Sequence, residues 1–557
     1  MESAKKRRIN DEEADGHEKT GIQQRSAPQS LTHPISPPLK KRRLTTAPTK
    51  AETPSPFRPI GSPFQLTKIK DLPARLNKDT YTLQDVLGDP LISECWEFNY
   101  LHDIDFLMSA FDEDVRSLVK VHVVHGFWKR EDPNRLALQE SASRFNNVTL
   151  HAAFLPEMFG THHSKMFILL RHDDTAQIII HTANLITRDW TNMTQAAWFS
   201  PRLPLLKPGH EQDEGQPKVG NGAKFKVDFL NYLRAYDTKR PTCKDIITKI
   251  VKYDFSSIRG SLIGSVPGRH TVVQSISSTN FGWAAMKSAL AAVPVNNTSE
   301  HKPEIAVQIS SIATLGPTDS WLRNTFFRAL SNNTSTTDFK VVFPTPDEIR
   351  KSLDGYMSGG SIHTKTQSPQ QAKQLQYLKP LFHHWANDST SGLAIDLSRV
   401  KDSGRKRAAP HIKTYIRSHR PTPESDEADI HIDWALLTSA NLSKQAWGEA
   451  LSAKEHTVRI SSYEIGVLVW PGLYGERAVM KPAFLEDTLP PPENGREGGG
   501  GGNGKGKEPD DGEEVVVEVA LRMPYNLPLQ PYGPNEIPWV ATASHTEPDW
   551  MGRIWQA

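Results

Sequence analysis

Two His-x-Lys triplets, His163-Ser164-Lys165 and His411-Ile412-Lys413, hold the side chains of this chain best suited to chemistry on an anion. Each stands among strand-forming residues, GTHHSKMFILL at 160–170 and PHIKTYIR at 410–417. Residues i and i+2 of a strand share a face, so each imidazole is expected beside an ammonium. A second string follows each triplet. HTANLITRDW places Asn184 after the apolar run 178–180, and TSANLSKQAW places Asn441 after 434–437. In both, Leu follows the Asn and a Trp lies six residues on, Trp190 and Trp447. His-x-Lys, then Ala-Asn-Leu, then Trp, in that order and twice, reads as a duplicated unit. His162, His172 and His181 invite a zinc reading. No carboxylate or Cys stands at ligand spacing, however, and each motif His is paired with a cation, which disfavours a metal and favours an anion.

Together these strings resemble the HKD motifs of the phospholipase D superfamily, in the variant form of the tyrosyl-DNA phosphodiesterases. No Asp follows either Lys at the superfamily's short spacing: Thr414 follows Lys413, and the first copy runs on through Met166 and Phe167. Asn184 and Asn441 stand in its place. The likeness spans about 62–555 and includes FNYLHDIDFL (98–107), VHG (124–126), SLDGYMSGGS (352–361), SYEIGVL (462–468) and Pro538-Trp539. It leaves out the first sixty residues and the glycine-rich stretch near 500.

The resemblance implies a nuclear DNA-repair hydrolase needing no cofactor and no metal. Its substrates are DNA 3′ ends, single-stranded or in nicked or blunt duplex, still carrying the tyrosyl peptide of a stalled topoisomerase I. His163 is then the nucleophile that forms a phosphohistidine, and His411 the general acid and base. Lys165 and Lys413 neutralise the phosphate, with Asn184 and Asn441 as neutral donors. Gln195 lies downstream of the first motif and Glu464 downstream of the second. A carboxylate beside His411 would favour its imidazolium, and an amide beside His163 would leave that ring unprotonated. For a DNA groove the candidates are Ser310, Ser311, Thr314, Gly360, Ser361, Ser443 and Lys444 on phosphates, and Phe159 stacked on a base. Tyr100 and Trp539 are candidate walls on the peptide side. The same motifs also fit a phospholipase D-type lipid hydrolase or a general nuclease. A catalytically silent DNA-binding scaffold, by contrast, would have no need of both His, both Lys and both Asn.

A chain of 557 residues suffices for two or three domains to hold these groups. With 66 basic and 64 acidic residues and a net charge of +2, nucleic-acid affinity must come from a local patch. Two cysteines, Cys95 and Cys243, point to a reducing compartment. With no apolar run near 18 residues and no signal-peptide pattern, the chain is expected to be soluble, intracellular and away from membranes, and it is expected to be a monomer.

Residues 1–62 are rich in Pro, Ser and charge and are expected to be a disordered tail. Their clusters Lys5-Lys6-Arg7-Arg8 and Lys40-Lys41-Arg42-Arg43 suit nuclear import, and the tail suits contacts with repair proteins. Residues 63–267 and 268–557 are expected to form two similar α–β–α layered α/β domains related by a pseudo-twofold, with the active site at the seam. Strands are expected at 119–124, 148–154, 305–309, 341–343 and 515–521, and at the two motifs. Residues 80–107 read as helical in part, residues 224–237 as helix, and Thr345 as a helix cap. Residues 490–513, with a run of five glycines, are expected to be a flexible insertion.

Overall fold

In a computed structural model, residues 57–207, 215–275, 277–295, 303–331, 337–386, 399–420, 430–490 and 516–557 are described. The basic clusters and most of the 490–513 insertion lie outside these residues.

Two sheets repeat one strand pattern. The first runs Gln65–Leu66, Ala196–Phe199, Thr175–His181, Met166–Arg171, Ile92–Phe98, Lys120–His125, Val148–Ala152, with the short Leu203–Pro204 beside Thr175–His181. The second runs Ser261–Ser265, Glu464–Val469, His431–Thr438, Thr414–His419, Glu304–Gln308, Asp338–Val342, Phe382–His383. Pairing matches strand for strand: four antiparallel pairs followed by two parallel ones in each sheet. The duplication inferred from two short motifs therefore extends through both halves.

The central strands are apolar on both faces because both faces are covered. Along Met166–Arg171 all six residues are buried. Met166, Ile168 and Leu170 join a cluster shared with Ile416, Leu437 and Val467 of the second sheet and Phe225 and Phe229 of helix Gly222–Arg234. Phe167 and Leu169 face outward onto Leu87, Leu107 and Leu138, carried by helices Leu83–Leu87, Ile104–Ser109 and Pro133–Ala142. The outer face of the second sheet packs likewise on helix Gly282–Leu290 and the segment Leu322–Phe327. At Thr345 the expected cap is present as a capping box with Glu348.

Four expectations change. Residues 57–60, assigned to the tail, form a strand that pairs in parallel with Val516–Arg522, whose own partner is Val479–Ala483. The boundary at 267 falls too late, since Ser261–Ser265 already belongs to the second sheet, and Ser55–Ala557 clusters as one unit. Within 80–107 the dominant element is the strand Ile92–Phe98, with Trp96 and Phe98 facing the shared core and Cys95 the outer helices. The His-x-Lys triplets sit not in strands but in the extended segments just before Met166–Arg171 and Thr414–His419. No described helix is long and apolar enough to cross a membrane.

Candidate active site

In each half the chemistry-bearing residues gather at one edge of the sheet, because antiparallel neighbours start and end there. His163 and Lys165 precede Met166–Arg171, Asn184 follows Thr175–His181, and Gln195 precedes Ala196–Phe199. His411 and Lys413, Asn441 and Glu464 hold the corresponding places in the second half, Glu464 opening its own strand. The two edges are stitched together by matching backbone bonds. His163 N donates to Tyr463 O at 3.0 Å, and His411 N donates to Thr194 O at 3.1 Å. Isolated bridges pair His162 with Tyr463 and Thr194 with Pro410.

This stitching crosses the partners over, contrary to the expectation drawn from chain order. His163 Nδ1 lies 2.9 Å from Glu464 Oε2, so the carboxylate serves His163. His411 Nδ1 receives the Gln195 Nε2 amide at 2.9 Å. Each support is braced by a hydroxyl two residues before an Asn: Ser439 Oγ donates to Glu464 at 2.6 Å, and Thr182 Oγ1 donates to Gln195 Oε1 at 2.7 Å.

A carboxylate can only accept, so Glu464 fixes the His163 proton on Nδ1 and leaves the Nε2 lone pair free. Gln195 as donor does the reverse, placing the His411 ring proton on Nε2. Burial pushes His163 down to about 4, with Glu464 pulling the other way. His411 is held well below its ordinary value, by burial first and by Lys413 next. Burial likewise lowers Lys165 to about 8, and burial plus Lys165 lowers Lys413 well below its ordinary value. Two desolvated ammoniums repelling each other make a site that gains by accepting an anion.

Asn441 is aimed by the backbone. Its Oδ1 accepts from Ser310 N at 3.0 Å and Ser311 N at 2.9 Å, which turns its amide nitrogen away from them. These two backbone amides, part of what the sequence had suggested for phosphates, therefore position Asn441. The Ser443 oxygen accepts from Ala446 N as the cap of Lys444–Trp447, which leaves its O–H to donate. Lys444 is half-buried beside Gly316, while Thr314 and Gly360 are exposed and Ser361 donates to Asp189 Oδ1 at 3.3 Å. The Tyr100 ring lies 5.5 Å from that of His163, and Phe159, four residues before His163, is 75% exposed. The Phe159 carbonyl accepts from Gln445 Nε2, and a Cβ on the next residue, Gly160, would lie 2.0 Å from Ser461 O.

Trp539 is not a wall. It is fully buried, donates to Gly359 O and Ile362 O, and stacks on Tyr356 and His545. Trp539→Ala is therefore expected to cost about 3–5 kcal/mol of stability. A thermal melt would show this as a clear drop in midpoint, whereas a groove residue would change KM at constant stability.

Of the extra histidines, His172 is exposed and His162 and His181 are buried. His162 bonds Asn99 O and Tyr236 OH, and His181 stacks on Phe167. Among the described residues Glu94, His122 and Asp245 form a metal-like group, but the Lys249 ammonium occupies it, 2.7 Å from Glu94 and 2.6 Å from Asp245. Sequence reasoning missed Asp189, fully buried, whose Oδ2 accepts from Asn184 N at 2.8 Å and lies 3.2 Å from His411 Nδ1. A signal existed: five residues after the Asn, the first copy has Asp189 where the second has Ala446.

A family model for tyrosyl-DNA phosphodiesterase matches residues 63–533, which takes in all eight residues of the paired site. The chain belongs to the tyrosyl-DNA phosphodiesterase family. The probable tyrosyl-DNA phosphodiesterase of Schizosaccharomyces pombe is 29% identical over 563 residues, covering 89% of this chain and 96% of that one. Tyrosyl-DNA phosphodiesterase 1 of Drosophila melanogaster is 30% identical over 491 residues, covering 85% and 73%. The crystal structure of the yeast tyrosyl-DNA phosphodiesterase superposes with a TM-score of 0.58 at 19% identity, over 86% of this chain and 99% of that one. At that identity the match speaks for the fold alone, and it agrees with the two-halved α/β architecture. The enzyme is thus a phosphodiesterase of DNA repair whose substrates are DNAs carrying tyrosyl adducts.

Proposed function

We propose that this phosphodiesterase hydrolyses the bond between a DNA 3′ phosphate and tyrosine in two steps, with His163 as nucleophile and His411 as general acid and then base. The observation that carries the reading is the opposed partners of the two Nδ1 atoms, an acceptor carboxylate of Glu464 on His163 and a donor amide of Gln195 on His411. His163 Nε2 attacks phosphorus, the bond to the tyrosyl oxygen breaks, and that oxygen takes the His411 Nε2 proton. His411 Nε2 then removes a proton from water, which attacks phosphorus and breaks the P–N bond to release a 3′-phosphate. Lys165 and Lys413 with the Asn184 and Asn441 amides supply the field that stabilises the charged transition state. A bound phosphodiester restores the proton affinity that burial takes from the lysines. We keep the role order that the family resemblance implies, but not on the pairing expected from sequence: with the partners crossed, Glu464 instead holds the His163 proton on Nδ1 and leaves Nε2 free to attack.

Phe159 stacks on a base, Lys444 and Thr314 meet phosphates, and Tyr100 borders the adduct. The tail's basic clusters direct the protein to the nucleus, where as a monomer it clears stalled topoisomerase I. Since lysines and histidines provide all the charge, cleavage of a 3′-phosphotyrosyl oligonucleotide should continue undiminished in excess EDTA and leave a 3′-phosphate end. Activity lost in chelator and recovered with magnesium would contradict this.

A further inference from the structure

An acid whose ring is neutral faces a difficulty that the two-step scheme leaves open. If His411 surrenders its Nε2 proton while Nδ1 carries none, the ring becomes an anion. A proton must therefore reach Nδ1 as the other leaves.

One carboxyl touches that nitrogen. Asp189 Oδ2 lies 3.2 Å from His411 Nδ1 and is held there by the Asn184 backbone N–H at 2.8 Å, while Oδ1 accepts from Ser361 Oγ at 3.3 Å. The Asp189 side chain has no exposed surface, so it reaches no proton source except through these neighbours. We propose that Asp189 is a positioning residue that holds one proton in its contact with His411 Nδ1, so that Nε2 can give and take a proton without the ring ever becoming an anion. The proposal rests on the acid and base role of His411 given above.

The proton balance closes over both steps. Before cleavage the Asp189–His411 pair carries two protons, one on Nε2 and one between Oδ2 and Nδ1. When the tyrosyl oxygen takes the first, the second settles on Nδ1, which leaves the Nε2 lone pair ready for water. Hydrolysis returns a proton to Nε2 and restores the starting pair. An unprotonated carboxylate would repel the Nδ1 lone pair at 3.2 Å, whereas a carboxyl proton between Oδ2 and Nδ1 binds it, taking the one lone pair in turn with the Gln195 N–H. Asp189 is raised by burial, against the Asn184 amide and the ammoniums of Lys413 and Lys165, in the direction that sharing requires. The other charges facing His411 are Lys413, Lys165, His163 and His363, all of which disfavour an isolated imidazolium and make a proton-sharing neighbour necessary. The duplicate half needs no such group: its His163 attacks through a lone pair, and Ala446 stands at the matching place.

The test compares Asp189→Asn with the wild type in single turnover on two oligonucleotides, one ending in 3′-phosphotyrosine and one in a 3′-(4-nitrophenyl) phosphate. The nitrophenolate leaves without an acid, so its release bypasses His411. The ratio of tyrosyl to nitrophenyl first-step rates should fall by about tenfold or more, the lower part of what a general acid contributes. The decline of tyrosyl cleavage at high pH should also move to lower pH. Because both rates come from one preparation, the ratio is independent of how much variant is folded. An unchanged ratio, whatever the total loss, overturns the role and leaves Asp189 as a brace for Asn184. Failure of the underlying scheme is separately visible: wild-type enzyme would then cleave neither substrate or would form no histidine adduct with either.

Discussion

His163→Ala is expected to abolish cleavage, lowering single-turnover rates by about 10⁴-fold or more, the scale seen when a nucleophile is lost from a coupled site. Nothing else is placed to attack phosphorus: His411 has its proton on Nε2, and Lys165 and Lys413 donate to the backbone oxygens of their own histidines. Binding should survive, because the ammoniums and Asn amides that hold the phosphate remain. Removal of the ring leaves the buried Glu464 carboxylate with Ser439 as its hydrogen-bond partner, at a stability cost of about 1–3 kcal/mol. His163→Gln keeps a donor for that carboxylate and should be equally inactive at closer to wild-type stability. The check is fluorescence anisotropy with a 3′-phosphotyrosyl oligonucleotide, read beside its cleavage: near-normal binding with no product and no adduct is the expected pair of results.

His411→Ala should fail differently. Tyrosine is a fair leaving group, with a phenol pKa of about 10, so attack by His163 proceeds without its acid at a cost of about 10²-fold. The second step then lacks the base that activates water, and the phosphohistidine outlives the assay. A denaturing gel should show labelled DNA moving to the position of the protein, in a yield approaching one per enzyme, while released 3′-phosphate stays low. Turnover with 3′-phosphate as the main product would mean that another group activates the water.

The duplication was legible from short strings because both copies kept the same residues at the same strand ends, and its reach through both sheets follows from repeating one architecture. Which imidazole meets which support was hidden. Glu464 lies 301 residues from His163, and Gln195 lies 216 from His411. Chain order favours the nearer partner, and only the exchange of backbone bonds across the seam reverses it. Trp539 stood in a matched string, but a string carries no depth, and the indole lies under Gly359 with nothing of it exposed. Ser310 and Ser311 were expected to offer both hydroxyls and backbone amides to phosphate. The use of their backbone N–H groups on Asn441 requires knowing that Glu304–Gln308 and His431–Thr438 end on the same side of the sheet, flanking Thr414–His419. The strand Ile92–Phe98 was obscured by Glu94 and Glu97 inside it, whose buried carboxylates find Trp96, Lys249 and His102 as partners.

The central claim is that the two histidines have fixed and unequal roles, and the most direct test is to locate the phosphate in the trapped adduct. The adduct from His411→Ala and a 3′-phosphotyrosyl oligonucleotide is digested with nuclease and protease under alkaline conditions that spare phosphohistidine, and the modified peptide is sequenced by mass spectrometry. The account predicts a nucleotidyl phosphate on the peptide carrying His163, and no adduct when His163 is also replaced. An adduct on a lysine, or one formed instead by His163→Ala and mapping to His411, would contradict it.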